Sequence, residues 1–174
     1  MTSPLRTACD LGRLLHRDQA IGALDALMRF DGFELGELLD EVTRFKRYRG
    51  VVQLRSLAPL ADARAQSPQE SLLRLRWHDC GLPWPECQIE VPAPHGSYFI
   101  DVGLPELLFG AEYDGADFHG ETTREHDESR RDWLTTVHGW RLVVVRAENV
   151  RGPMQDVYAQ LTRGFALARS GRVA

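Results

Sequence analysis

Lysine is almost missing from this chain: Lys46 is the only one among the 21 Lys and Arg residues of its 174. Nearly all positive charge is therefore guanidinium, which binds carboxylate and phosphate through paired N–H groups. Cysteine is scarce too. Cys9, Cys80 and Cys87 form no CxxC pair, so no disulfide framework is implied, and the cytoplasm is the expected location. No stretch approaches the roughly 20 apolar residues that span a bilayer, and the amino terminus has no uninterrupted apolar run of signal-peptide type; a soluble protein without a membrane partner is expected. A general excess of positive charge is absent as well. The formal net charge is −4, which argues against a protein that coats phosphates by composition alone. Residues 1–66 hold 10 Lys and Arg against 9 Asp and Glu, and residues 67–174 hold 11 against 16, so the acids gather in the second part.

What is present is enough apolar content, 43%, for a buried core. Residues 1–66 read as helix after helix. Thr7 is a candidate cap for the first, with Leu11, Leu14 and Leu15 as its apolar stripe. Asp18 is a candidate cap for the second, which Asp31-Gly32 ends, and Leu35, Leu38, Leu39, Val42 and Phe45 mark a third. After the basic stretch from Arg44 to Arg49, a fourth runs through Val52, Leu57 and Leu60, bent or interrupted by Pro59. The basic stretch reads either as a phosphate-backbone contact or as the solvated face of a helix.

A boundary falls near Ala65-Gln66, because Ser67-Pro68-Gln69-Glu70 is a helix start: a serine cap, proline at the first helical position and glutamate closing a capping box. Beyond it the pattern predicts strands at Gln88–Val91, Tyr98–Val102, Leu107–Tyr113 and Arg141–Arg146. A polar helix starting at the Thr122 and Glu125 capping box precedes the last of these, and another follows Pro153. Short turns join the first three strands whereas the fourth arrives after a helix, so the class expected is α/β (α+β), with a mixed sheet, helices on its faces and a helical appendage at residues 1–66.

Asp101 and the run Glu112-Tyr113-Asp114-Gly115 place three carboxylates at the ends of two apolar strands. By strict alternation Phe99, Asp101 and Gly103 share one face, opposite Tyr98, Ile100 and Val102, while Gly110, Glu112 and Asp114 share a face in the next strand. Like charges so placed repel and lose hydration, which a dication would relieve; all-oxygen ligands suit Mg²⁺ or Mn²⁺. Solvated acids at strand ends are the other reading. His78, Cys80, Cys87 and His95 are spaced poorly for a structural zinc site, and buried free thiols are the expectation there.

The αβββαβ order with Glu70, Asp101 and Glu112 resembles the PD-(D/E)XK, or restriction-endonuclease-like, fold, and is most similar to its very-short-patch-repair (Vsr)-like branch. The residues that carry the resemblance are Ser67-Pro68-Gln69-Glu70-Ser71, Gly81-Leu82-Pro83, Ile100-Asp101, Glu112-Tyr113-Asp114-Gly115, His119, Asp127 with Arg130 and Arg131, and Gly139-Trp140-Arg141-Leu142-Val143 leading into Arg146. They cover about residues 67–150 of a domain assigned to 67–174. Residues 1–66, through Arg6-Thr7-Ala8-Cys9-Asp10-Leu11 and the helices after them, more loosely resemble the C-terminal helical part of abortive-infection-type antitoxins. In those proteins a winged helix commonly precedes this region, so the expectation is a truncated gene or a start placed downstream of the true one.

The resemblance implies a metal-dependent DNA endonuclease. Asp101 and Glu112 would hold Mg²⁺ or Mn²⁺, with Asp114 as a third candidate ligand, and Glu70 would orient a metal-bound water. The wider fold carries a lysine where Asp114 stands, and 67–174 contains none. The Vsr-like branch likewise lacks it, which makes His119 the candidate acid or base, with His126 weaker; His119 also reads as a loop histidine without a partner. Arg124, Arg130 and Arg131 are candidate contacts to the nucleic-acid backbone, although Asp127, Glu128 and Asp132 could pair with them along the helix. Glu70 is also fully explained as a capping residue. The alternative function is a non-catalytic DNA-binding or antitoxin-type regulator that uses the nuclease fold as a scaffold.

Overall fold

In the computed structural model, residues 2–94, 96–115, 121–151 and 155–171 are described, with backbone alone for 121–128. The chain forms two compact units, Met1–Leu75 and Arg76–Ala174. The sequence boundary near Gln66 lies earlier because the first turns of the helix Pro68–Asp79 (α5) pack with the first unit: Pro68 lies against Gly22, and Arg74 pairs with Asp25.

The first unit is helical. α1 (Pro4–Leu14), α2 (Arg17–Asp31), α3 (Leu35–Thr43) and α4 (Val51–Leu57) pack around Ile21, Leu24, Leu38, Leu54 and Leu57, all fully buried. α1 starts earlier than Thr7, because Ser3 accepts the Arg6 N–H and Pro4 is preset for the first helical position. α2 is capped by His16, whose Nδ1 accepts the Asp18 N–H, and ends at Gly32 in the left-handed conformation. Pro59 interrupts the fourth helix as expected, tightening Ala58–Leu60 into a 3₁₀ turn.

The second unit holds a four-stranded mixed sheet in the order β1-β2-β3-β4, with β1 Glu86–Ala93, β2 Gly96–Leu104, β3 Phe109–Tyr113 and β4 Arg141–Val145. β1, β2 and β3 pair antiparallel and β4 lies parallel to β3. The parallel step follows from the helix α6 (Glu121–Thr136), which carries the chain back before β4 begins. α6 begins at Glu121, so Thr122 lies inside it rather than ahead of it. α7 (Ala147–Val150) and α8 (Val157–Ser170) follow. The architecture is thus mixed α+β, an αβββαβ arrangement with a helical N-terminal part, as the sequence pattern predicts.

Both sheet faces are covered. On one, Ile89, Val91 and Ile100 pack with Leu134 of α6 and with Trp140. On the other, Phe109 stacks on Trp77 at 5.1 Å and meets Phe165 of α8. Gly164 lets α8 approach: a Cβ there would lie 2.8 Å from atoms of both Phe109 and Val143. Strict alternation along β2 does not hold. A Cβ on Gly110 would lie 2.7 Å from Ile100 Cγ2, so Ile100 shares the Gly110 face, whereas Val102 pairs with Ala111 on the opposite one. The alternation breaks at Asp101. Across from it in β1 stands Gln88, left-handed at φ 52°, between the pairs Cys87↔Val102 and Ile89↔Ile100.

Candidate functional site

β2 and β3 stay paired only as far as Val102↔Ala111, whereas β3 and β4 pair through Tyr113↔Val145 and the Asp114 N–H continues onto the Val145 carbonyl at 2.8 Å. The sheet therefore forks after Val102, with Asp101 on one prong and Glu112 on the other. Asp101 spans the fork. Its Oδ2 accepts the Tyr113 N–H at 2.8 Å, which supplies a partner for a backbone donor that the ended ladder leaves behind.

Glu112 lies in the interior, 2% exposed, although a carboxylate without compensation loses several kcal/mol on such burial. Arg130 Nη2 donates to its Oε2 at 2.8 Å, and Arg131 Nε stands 3.5 Å from the same oxygen. Arg130 Nη1 also donates to the Phe99 carbonyl at 2.9 Å, so this side chain ties the two prongs together. Asp114 is held by Arg131 and Arg146, each 3.3 Å from its Oδ2. Burial pushes the Glu112 carboxyl up from its ordinary range, and the guanidiniums of Arg130 and Arg131 pull it partly back.

These contacts correct the charge argument made from spacing. Glu112 and Asp114 are not left to repel one another: Arg130 and Arg131 face Glu112, and Arg131 and Arg146 face Asp114, so the fork holds three guanidiniums beside its three acids. Two of the arginines expected to face nucleic acid are thus engaged with the acids expected to face a metal. α6 brings this about, because Arg130 and Arg131 emerge one turn before the buried Leu134 that seats the helix on the sheet.

One valence is left over. Glu112 Oε1 is buried and has no hydrogen-bond partner among the described residues. An orphaned carboxylate oxygen is the kind of ligand that a hard divalent cation accepts, and Glu112 Oε1 meets that description. Among the described residues no three His, Cys, Asp or Glu side chains cluster as a ready-made metal cage.

Glu70 belongs to the first unit and is engaged at the start of α5. Its N–H donates to Ser67 Oγ at 3.2 Å, and its Oε2 accepts the Gln66 N–H at 2.8 Å, one residue further back than the expected box. His119 lies outside the described residues, as do the side chains of Arg124, His126, Asp127 and Glu128. Cys87 is buried and Cys80 half-buried, and neither is in a disulfide. Two residues at the fork had no role in the sequence reading. Arg146 enters it only through the family resemblance and as the end of the fourth strand, and its place directly after the strand parallel to β3 could have assigned it one. Gln88 had no signal, because a left-handed glutamine inside a strand follows from no propensity.

No helix of the described residues is long and apolar enough to cross a membrane. No protein-family model matches the chain, and no solved structure matches it. Two curated proteins of Mycobacterium tuberculosis do match. The uncharacterized protein MT2308 of strain CDC 1551 / Oshkosh and the uncharacterized protein Rv2248 of strain ATCC 25618 / H37Rv are each 33% identical over 170 residues, covering 97% of this chain. The chain is thus similar to these proteins nearly end to end while spanning 62% of their length.

Proposed function

We propose that the second unit is a metal-dependent endonuclease that hydrolyses DNA phosphodiester bonds in the cytoplasm. The observation that carries this reading is the buried Glu112, one oxygen of which has no partner among the described residues, at the strand fork where Asp101 lies on the other prong. Asp101 and Glu112 would hold Mg²⁺ or Mn²⁺, and the oxygens of Asp114 remain with Arg131 and Arg146. The ion, when bound, would polarise the phosphoryl oxygen and make its water a nucleophile near neutral pH.

The protein's own groups supply the rest. Arg130 and Arg131 neutralise the acids in the free protein; an arriving phosphate offers them a new partner, and Glu112 is released toward the cation. Guanidinium then does at the phosphate what the lysine of the wider fold would do, stabilising charge as the bond breaks. His119 is assigned the proton transfer to or from the reacting oxygens through the Vsr-like resemblance alone.

The test is nicking of supercoiled plasmid by purified protein with Mg²⁺, Mn²⁺ or EDTA, beside Asp101→Ala and Glu112→Gln. Metal-dependent nicking that both variants lose is expected. A second reading, the non-catalytic DNA-binding or antitoxin-type regulator, draws on the balance of three acids by three arginines, which leaves the fork neutral without any metal. Retained DNA binding with no cleavage in either metal selects it and removes the enzyme.

A further inference from the structure

The basic stretch of the first unit is a turn, not a helix face. α3 ends at Thr43 and α4 begins at Val51. The turn between them is built around one anchor: Phe45 is buried, its carbonyl accepts Arg55 Nη2 at 3.3 Å, and the Arg49 carbonyl accepts Arg13 Nη1 at 3.2 Å. Gly50 closes it in a left-handed conformation, where any Cβ would lie 1.9 Å from the Arg13 carbonyl oxygen. Arg47 is left-handed as well, at φ 64°. The segment is thus pinned at both ends, with its basic side chains turned outward.

Arg44 is paired with Glu41. Lys46, Arg47 and Arg49 are exposed and make no ion pair or side-chain hydrogen bond among the described residues. Arg6, Arg13, Arg64, Arg74, Arg130, Arg131 and Arg146 contact carboxylates, whereas Arg141, Arg151, Arg163 and Arg169 are exposed without an ion pair among the described residues but lie scattered along the second unit's sequence. Tyr48 stands among the unpaired cations, 44% exposed, with its ring packed on Phe45 at 5.1 Å and the guanidiniums of Arg6 and Arg13 each 5.4 Å from its centroid. An exposed aromatic ring held by Phe45, Arg6 and Arg13, beside three exposed cations on a pinned turn, is a patch of concentrated positive charge that suits a polyanion.

We propose that this turn is a docking surface for duplex DNA, engaging the phosphodiester backbone through Lys46, Arg47 and Arg49 without reading bases. The turn pre-pays the ordering of its own backbone, and guanidinium groups match phosphate oxygens in pairs. The contact is separate from the fork of the second unit and stands whether or not that unit cleaves.

Binding of a fluorescein-labelled duplex by the full chain, measured by anisotropy in EDTA so that hydrolysis plays no part, tests it. K46Q/R47Q/R49Q should weaken binding by more than about 40-fold at 50 mM salt and lower the slope of log affinity against log salt by roughly 2.7, for three lost phosphate contacts. Its advantage for wild type should shrink by roughly 40-fold between 50 and 200 mM. R151Q/R163Q/R169Q, which removes the same charge from the second unit, should leave the slope near that of wild type, and circular dichroism melting of both variants reports their folding. Equal loss in both variants, an unchanged slope in the first, or no binding of the duplex by wild type overturns the proposal. So does loss of binding to vesicles rich in anionic lipid with duplex binding untouched.

Discussion

Each unit buries one carboxylate against arginine, and the two are solvated differently. In the first, Asp25 is 1% exposed; its Oδ1 accepts the Asp62 N–H at 2.8 Å and its Oδ2 is paired with Arg74. In the second, Glu112 is 2% exposed; its Oε2 carries two arginine contacts and its Oε1 has no partner among the described residues. Burial raises both carboxyls above their ordinary range and the arginines oppose that rise. The difference lies in completeness. Both oxygens of Asp25 are satisfied in a knot that ties α5 to α2, with Arg74 also donating to the Leu60 carbonyl while its Nε has no partner among the described residues. Glu112 is an open one, and an open acceptor in the interior is a cost that a fold retains where a ligand closes it.

The largest effect expected from this contrast is at the closed site. Asp25→Ala leaves Arg74 charged and alone in the interior and should lower unfolding free energy by about 3–5 kcal/mol in urea titration. A loss below about 1 kcal/mol would mean that the pair is not the knot described. At the open site the order reverses. Glu112→Gln, which can still accept from Arg130, should change stability by no more than about 1 kcal/mol while Mg²⁺ affinity in calorimetric titration with DNA present falls roughly 100-fold or more. A structural Glu112 would show the opposite pattern.

The raised Glu112 carboxyl adds a pH signature. The folded state binds the extra proton, so this group's contribution to stability is lost as pH rises from the ordinary carboxylate range through the raised value. Urea titrations across that window should show the decline in wild type and a shallower one in Glu112→Gln. A cation must displace the same proton, so Mg²⁺ affinity should rise with pH, with a binding enthalpy that depends on the buffer. An intermediate effect is expected at the opposing cation: Arg131→Gln should raise Mg²⁺ affinity of the DNA-free protein by about tenfold, since one like charge leaves the fork. If affinity drops instead, Arg131 organises the ligands rather than competing with the ion. The smallest effect is at Gln88. Gln88→Gly relieves a left-handed side chain and should stabilise the fold by up to about 1 kcal/mol while reducing plasmid nicking. Loss of stability would make Gln88 a framework residue instead.

Much of the framework could be read before folding. Pro68 beside Ser67 and Glu70 marks the start of α5, Asp31-Gly32 ends α2, Pro59 breaks the fourth helix, and the alternating runs locate all four strands, because each signal acts over a few neighbouring residues. The candidate site was legible as a list of acids and only partly as an arrangement. Alternation placed Asp101 on a face with Gly103, whereas its carboxylate reaches across to the Tyr113 amide, because the alternation breaks opposite Gln88. The arginines of α6 could be placed on a polar helix, yet nothing in their spacing pairs them with acids 17 or 18 residues earlier.

Residue order alone determined the αβββαβ succession, the helical first part, the scarcity of thiols and lysine, and the presence of acids at two neighbouring strand ends. Those follow from backbone propensity and composition, which are local. Tertiary structure alone decided which charges meet: that β2 and β3 part at Asp101, that three guanidiniums close on Glu112 and Asp114, and that one oxygen is left over. Electrostatics and hydrogen bonding depend on distances of a few ångströms between segments far apart in the chain, and only packing sets those distances.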